Sequence, residues 1–122
     1  MLSKHVGSEL KVVTDETFER DVLEHPRPVL VEFGTEWCPP CRMVAPVLAT
    51  IARERTDMLT ICKVDTDENP SVTATYRVMS APTLILFRGG RPILTLVGAR
   101  SKAKLLSELD HALASDPRNP EG

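Results

Sequence analysis

Two cysteines, Cys38 and Cys41, lie three positions apart in the run Trp37-Cys38-Pro39-Pro40-Cys41. Residues 29–33 immediately before this run are almost all apolar and predict a buried strand, and the residues after it have the apolar spacing of a helix. Two thiols held where a strand gives way to a helix can form a small disulfide ring and reopen without unfolding the chain. The residues therefore indicate redox chemistry.

Size and composition limit the other functions. The 122 residues are 42% apolar, which suits one domain with one core. A formal charge of -2, with both signs interspersed, disfavours binding to nucleic acid or to anionic membranes. No stretch approaches the roughly 20 apolar residues of a membrane span, and residues 1–9 lack the apolar core of a signal peptide. The odd number of cysteines, three, fits one working pair plus a spare thiol better than a set of structural disulfides. We therefore expect a cytoplasmic protein.

Hydrophobic patterning and turn residues predict an α/β fold with the element order β-α-β-α-β-α-β-β-α. Thr14 and Asp15 are expected as N-caps of the first helix, and Asn69 as N-cap of a later one. The predicted domain spans residues 10–114, between a flexible N-terminal arm, residues 1–9, and a disordered tail, residues 115–122. The predicted strands are 10–13, 29–33, 59–64, 83–87 and 92–97, and the predicted helices begin near residues 17, 39, 70 and 101.

Several further motifs fall in the order and spacing of one family. From about residue 10 to 114 the chain resembles a bacterial-type thioredoxin. The resemblance implies the thioredoxin fold, a mixed sheet of about five strands flanked by four helices. The motifs that carry it, besides W-C-x-P-C, are Phe18, Glu32-Phe33, Pro46, Lys63-Val64-Asp65, Asp67-Glu68-Asn69-Pro70, Ala81-Pro82-Thr83 and Val97-Gly98-Ala99.

The chain departs from the family pattern at a few positions around the cysteines. Pro39 replaces the usual glycine between them, and Glu32 replaces a buried aspartate. Gly34 lies where an aromatic residue is frequent, and Ser80-Ala81 lies where a small residue and isoleucine often precede the proline. These departures concern redox potential and partner choice rather than the fold.

Cys38 is the candidate nucleophile. At a helix N-terminus its thiolate would be favoured by free backbone N–H groups and by the helix dipole, which lower a thiol pKa from its ordinary value of about 8.5. Cys41 would then attack the mixed disulfide and release the reduced target. Pro39 has no N–H and removes a potential donor to Cys38, whereas Pro40 is the residue usual in the family. A structural disulfide or a metal half-site is the alternative, although zinc needs four ligands and neither Cys62 nor the histidines show paired spacing.

Glu32 and Lys63 are predicted to assist the cysteines. Glu32 is ionisable in an otherwise apolar strand, so burial should raise its pKa and make it a proton acceptor for Cys41. It occupies the family's buried-acid position. Alternatively its carboxylate reaches solvent at the end of the strand. Lys63 either pairs with Glu32 from the neighbouring strand, as in the family, or extends to water.

A substrate-docking site is predicted beside the cysteines. By resemblance, Pro82 is the family's cis-proline, which leaves the Ala81 backbone to pair with an extended substrate segment; an ordinary trans proline is the alternative. Cys62 is expected to be a small buried side chain. The apolar docking patch would consist of Trp37, Met79, Ala81, Gly98 and Ala99.

These features predict a thioredoxin-type protein-disulfide reductase that is monomeric and holds no bound cofactor and no metal. Electrons would come from NADPH through a separate thioredoxin reductase, because the chain has no Gly-rich dinucleotide loop. Its partners would be that reductase and disulfide-containing proteins. The alternatives are a binding module that does not need its redox activity, docking through the surface around Trp37, and an oxidase or isomerase with a higher redox potential.

Overall fold

The structure, a computed structural model, describes residues 10–117. It contains five strands and four helices, one of which is a short π-helical segment, Glu19–Leu23. The predicted α/β architecture is confirmed. The strands are β1 (Lys11–Val12), β2 (Val29–Gly34), β3 (Thr60–Asp65), β4 (Thr83–Arg88) and β5 (Arg91–Val97). The other helices are α1 (Pro39–Glu54), α2 (Pro70–Thr75) and α3 (Lys102–Ser115).

The five strands form one mixed sheet in the order β1-β3-β2-β4-β5. β2 lies at its centre, parallel to β3 and antiparallel to β4. Every residue of β2 is buried, as expected for an interior strand covered on both faces. Helix α1 follows β2 and leads back to the parallel strand β3, so the cysteines lie at the carboxyl end of the central strand.

Helices cover both faces of the sheet. On one face, α1 and α3 contribute Val44, Leu48, Ile51, Leu105 and Leu109 to a core that also contains Leu30, Ile61, Leu84 and Leu86. On the other face, the π-helical segment and α2 contribute Val22 and Val72 to a core that also contains Phe18, Val31, Phe33, Cys62, Val64 and Phe87. The strands β2 and β4 are thereby almost entirely shielded from water, whereas the edge strands β1 and β5 stay largely exposed.

The turn between β4 and β5 fits the hairpin predicted from the sequence. Each strand extends one residue closer to the turn than predicted and leaves two glycines, Gly89 and Gly90, between them. Their φ angles are 60° and 79°, a left-handed conformation that glycine adopts without steric cost. Two-residue hairpin turns of this kind match the twist of the flanking strands.

Helix α2 is capped by a residue distant in sequence. Asn69 occupies the N-cap position but makes no side-chain cap; its Oδ1 instead accepts the backbone N–H of Asp15 at 2.8 Å. The Asp15 carboxylate accepts the backbone N–H groups of Ser71 at 3.2 Å and Val72 at 2.9 Å. The prediction that Asn69 is the N-cap residue and Pro70 the first helical residue is confirmed in position, although the Asn69 side chain does not cap the helix. The prediction that Asp15 caps the first helix is wrong, because the segments that contain Asp15 and Asn69 exchange hydrogen bonds.

The predicted disordered tail, residues 115–122, includes two residues that belong to the folded domain, Ser115 and Asp116. Ser115 is the last residue of α3, and the Asp116 side chain is only 2% exposed. Arg88 Nη1 lies 3.4 Å from both Asp116 Oδ2 and the carbonyl oxygen of Leu113, so the end of β4 holds the end of α3. Residues 1–9 and 118–122 lie outside the described residues, and the arm and the rest of the tail stay predictions.

Candidate active site

Cys38 and Cys41 form a disulfide at the junction between β2 and α1. Their Cα atoms are 5.1 Å apart, within the usual range for bonded cysteines. Cys41 is 4% exposed, because it lies on the same helix face as the core residues Val44 and Leu48. Cys38 is half-buried and precedes the helix. Of the two cysteines, Cys38 is therefore the more accessible from outside the protein.

The first turn of α1 has one backbone donor for Cys38. Cys38 is the N-cap residue, and its Sγ accepts the backbone N–H of Cys41 at 3.2 Å. Pro39 and Pro40 fill the first and second helical positions and have no N–H. An N-cap side chain accepts from the second or third helical residue, so the donor that Cys38 lacks is at Pro40. The prediction that Pro39 removes this donor is corrected accordingly.

Glu32 lies inside the protein, in the central strand. It is 7% exposed, and burial raises the pKa of its carboxyl group. Lys63 is aligned with it across the parallel pair β2 and β3, is half-buried, and its positive charge opposes part of that rise. The alternative in which Glu32 reaches solvent at the end of its strand does not match this position.

Glu32 and Cys41 approach the same small space beside Gly34. A β-carbon added to Gly34 would lie 2.8 Å from Glu32 Oε2 and 2.7 Å from Cys41 Sγ. The carboxylate oxygen and the sulfur are therefore no further apart than the sum of these two distances. The structure thus places an acid with a raised pKa next to the buried cysteine.

A loop that contains a cis peptide bond lies against the exposed cysteine. The Ala81–Pro82 bond is cis, the conformation that the resemblance implies, and Pro82 is buried. The carbonyl oxygen of Ala81 is 3.5 Å from Cys38 Sγ, and the carbonyl oxygen of Pro82 accepts the backbone N–H of Gly98 at 2.8 Å. The loop at Ala81 and Pro82 thus contacts both the disulfide and the segment at Gly98.

The sequence of residues 9–111 matches the model of the family described as Thioredoxin. The chain belongs to the thioredoxin family. Curated relatives agree: a thioredoxin of Mycolicibacterium smegmatis is 52% identical over 103 residues, which are 83% of this chain and 92% of the relative. Thioredoxin 1 of Synechococcus elongatus is 50% identical over 101 residues, 83% of this chain and 94% of the relative.

A longer relative carries a thioredoxin segment together with another activity. The bifunctional thioredoxin reductase/thioredoxin of Mycobacterium leprae is 49% identical over 107 residues, which are 88% of this chain and 23% of that protein. Family membership and the paired cysteines make this thioredoxin-family chain a thiol-disulfide oxidoreductase. It reduces protein disulfides as its two thiols become the Cys38–Cys41 disulfide.

The residues predicted for docking differ in their exposure. Trp37 is 68% exposed and Met79 is 91% exposed, both unusually high for large apolar side chains. Ala99 is exposed, whereas Ala81 and Gly98 are half-buried. The hydrogen bond from Gly98 to Pro82 joins two of the three segments that carry these residues, and Trp37 precedes Cys38 in the third.

Arg100 holds the loop at Val97 and Gly98, a role that the sequence did not indicate. Its Nη1 donates to the carbonyl oxygens of Val97 at 2.9 Å and Gly98 at 3.1 Å, and its Nε lies 2.8 Å from Glu108 Oε1 on α3. From the sequence alone Arg100 is one surface charge among many. Only the three-dimensional contacts show that it ties the loop of this thioredoxin-family site to a helix.

Cys62 takes no part in the thioredoxin-family site. It is 1% exposed, and burial, with a smaller effect of the Asp21 charge, raises the pKa of its thiol to about 12. It therefore has almost no thiolate near neutral pH. Within residues 10–117, no three His, Cys, Asp or Glu side chains are grouped to hold a metal ion, and no helix is long and apolar enough to cross a membrane.

Proposed function

We propose that Cys38 opens the disulfides of partner proteins and that Cys41 releases the reduced product. The Cys38 thiolate attacks one partner sulfur, a mixed disulfide forms, and the other partner sulfur leaves as a thiolate. Cys41 then attacks Cys38, and the second partner thiolate leaves as the Cys38–Cys41 bond forms. The observation that supports this order is the difference in exposure between the half-buried Cys38 and the buried Cys41.

Glu32 accepts the proton of Cys41 in the second step. A carboxylate with a raised pKa is a better proton acceptor than an ordinary one, because its basicity is closer to that of a thiolate. Its position beside Gly34 and Cys41 supports this role. The positive charge of Lys63 opposes part of the rise in the pKa of Glu32 and so favours the carboxylate form that accepts the proton.

Partner proteins dock on the surface around the exposed cysteine, which we call the docking surface. An extended segment of the partner pairs with the backbone at Ala81, next to Pro82, and brings its disulfide to Cys38. Apolar contacts add affinity without demanding one sequence, which suits many partners. The residues of the docking surface are Trp37, Met79, Ala81, Pro82, Gly98 and Ala99.

Electrons come from NADPH through a separate thioredoxin reductase, and the protein works as a cytoplasmic monomer that maintains cellular redox balance. The bifunctional M. leprae relative, whose name joins the two activities in one chain, supports this pairing. The absence of a Gly-rich dinucleotide loop from the sequence supports a separate reductase. A reducing compartment with NADPH is where such a dithiol can act.

Turnover of a protein disulfide tests the proposal. Insulin, a bacterial thioredoxin reductase and NADPH are mixed with this protein, and NADPH oxidation is followed. We expect oxidation that depends on this protein, is lost in Cys38→Ser and is retained in the matched control Cys62→Ala. Equilibration with a glutathione buffer tests whether the protein acts as a reductase or as an oxidase, because the dithiol/disulfide couple of a reductase is more reducing than that buffer. No turnover, or a couple more oxidising than glutathione, contradicts the proposal.

A further inference from the structure

The central strand ends in a glycine that its backbone does not require. Gly34 does not have the positive φ found at Gly89, Gly90 and Gly98. Its carbonyl oxygen accepts the backbone N–H of Thr66 at 3.1 Å, and it pairs with β3 in the regular parallel register. Any L-residue can adopt that conformation. Glycine inside a strand otherwise marks a place where another group approaches closely.

The close groups at Gly34 are the two that the reaction uses. A β-carbon at this position would lie 2.7 Å from Cys41 Sγ and 2.8 Å from Glu32 Oε2, shorter than the contacts that carbon makes with either atom. Cys41 is fixed in α1, and Glu32 is enclosed in the sheet, so neither can move aside freely. The carboxylate and the sulfur thus occupy the room that the missing side chain leaves.

We propose that Gly34 is a positioning residue for the second step of the reaction. Its empty side-chain position lets Glu32 Oε2 approach Cys41 Sγ closely enough to take the thiol proton. The proton passes from Cys41 to Glu32, the sulfur of Cys41 forms a bond with Cys38, and the bond from Cys38 to the partner sulfur breaks. The electron pair leaves with the partner thiolate. This inference rests on the proposed role of Glu32.

A Gly34→Ala variant tests the inference through the kinetics of the two steps. Stopped-flow measurement with a protein disulfide separates formation of the mixed disulfide from its release. We expect release to slow at least tenfold while formation changes less than twofold, since the three atoms nearest to the added β-carbon belong to Cys41 and Glu32 and none to Cys38. The dependence of the release rate on pH should also lose the inflection due to the carboxyl group. Unchanged release with an unchanged pH profile would overturn the inference.

A double-mutant cycle shows whether Gly34 acts through Glu32. If it does, the double variant Glu32→Gln, Gly34→Ala releases its partner within twofold of the rate of Glu32→Gln alone. If the two substitutions slow release independently, so that their effects on the rate multiply, Gly34 does not act through Glu32. If Glu32→Gln releases at the native rate, the proposed base role fails together with the inference, while disulfide reduction by the two cysteines stands.

A shorter acid at position 32 tests whether the crowding caused by Gly34→Ala can be relieved, and it supplies a second variant for the test. Aspartate at position 32 withdraws the carboxylate from the added methyl group. Adding Gly34→Ala to Glu32→Asp should therefore slow release at least threefold less than adding it to the native protein. Thermal unfolding of each oxidised variant shows that it is folded. An equal or larger penalty in the aspartate background would overturn the inference, even if Gly34→Ala alone does not fold.

Discussion

The backbone N–H of Cys41 donates a hydrogen bond to the sulfur of Cys38 across 3.2 Å. This is the donor that the first turn of α1 offers its N-cap, because the two preceding positions are prolines. In the dithiol state the same N–H and the positive end of the helix dipole favour the Cys38 thiolate. In the proposed mechanism, Cys41 therefore activates Cys38 before Cys41 attacks it.

Replacing each proline separately tests this account of Cys38. Pro40→Ala restores an N–H at the second helical position, from which an N-cap side chain can accept, whereas Pro39→Ala restores one at the first position. A hydrogen bond to a charged group contributes roughly 1.5 to 3 kcal/mol. We expect the Cys38 thiolate to form at a lower pH in Pro40→Ala than in Pro39→Ala, as measured by thiolate absorbance. Equal titrations, or the reverse order, would contradict this assignment of donors.

Glu32→Gln should stabilise the oxidised protein at neutral pH. Because the pKa of Glu32 is raised by burial, the folded protein binds more protons than the unfolded chain between the unfolded and folded pKa values. The free energy of unfolding therefore falls as pH rises through that window and stays lower above it. Glutamine carries no charge, so the Glu32→Gln variant does not lose stability in this pH window.

Denaturant titration from about pH 4 to pH 8 measures this effect. The advantage of Glu32→Gln over the native protein should grow with pH and then level off. Glu36→Gln is the matched control, because Glu36 is an exposed acid near the same strand, and it should show no such growth. A native protein that is more stable than Glu32→Gln at pH 8 would refute the prediction.

Arg100→Ala should weaken partner docking and leave the chemistry intact. Arg100 joins the carbonyl oxygens of Val97 and Gly98 to Glu108 on α3, so its removal frees the loop that carries part of the docking surface. Ordering that loop on binding then costs conformational entropy. We expect the KM for a protein disulfide to rise roughly threefold to tenfold, with kcat nearly unchanged, in the reductase-coupled assay.

Arg55→Ala is the matched control for Arg100. Arg55 also pairs with an acid of α3, Asp110, at 3.1 Å, and its side chain is 27% exposed against 23% for Arg100. It follows the last residue of α1, at the far end of that helix from Cys41. A similar rise in KM for both variants would mean that anchoring α3, rather than the loop, controls docking.

Local patterns in the sequence were sufficient to predict the sheet and the disulfide. The apolar run of β2 and the spacing of the cysteines are short-range signals, and so is the glycine turn of the hairpin. The burial of Cys41 in the structure agrees with its helical spacing to Val44 and Leu48, which places the three side chains on one face.

Contacts between distant residues could not be predicted in the same way. The Asp15 carboxylate caps a helix that begins 55 positions later, at Pro70. The sequence offered Asp15 and Asn69 each as a local cap, and both proved to have partners elsewhere. Likewise Glu32 and Gly34 were read as two separate departures from the family pattern, whereas the structure shows both beside the Cys41 sulfur.

Trapping of mixed disulfides tests the division of labour between the two cysteines most directly. Cys41→Ser retains the accessible sulfur and cannot release its partner, so it should accumulate covalent adducts with disulfide-containing proteins. Cys38→Ser leaves only the buried sulfur and should trap almost none, and Cys62→Ala, the matched control, should trap no more than the native protein. Mass spectrometry of the captured adducts measures all three. Equal trapping by Cys41→Ser and Cys38→Ser would contradict the account.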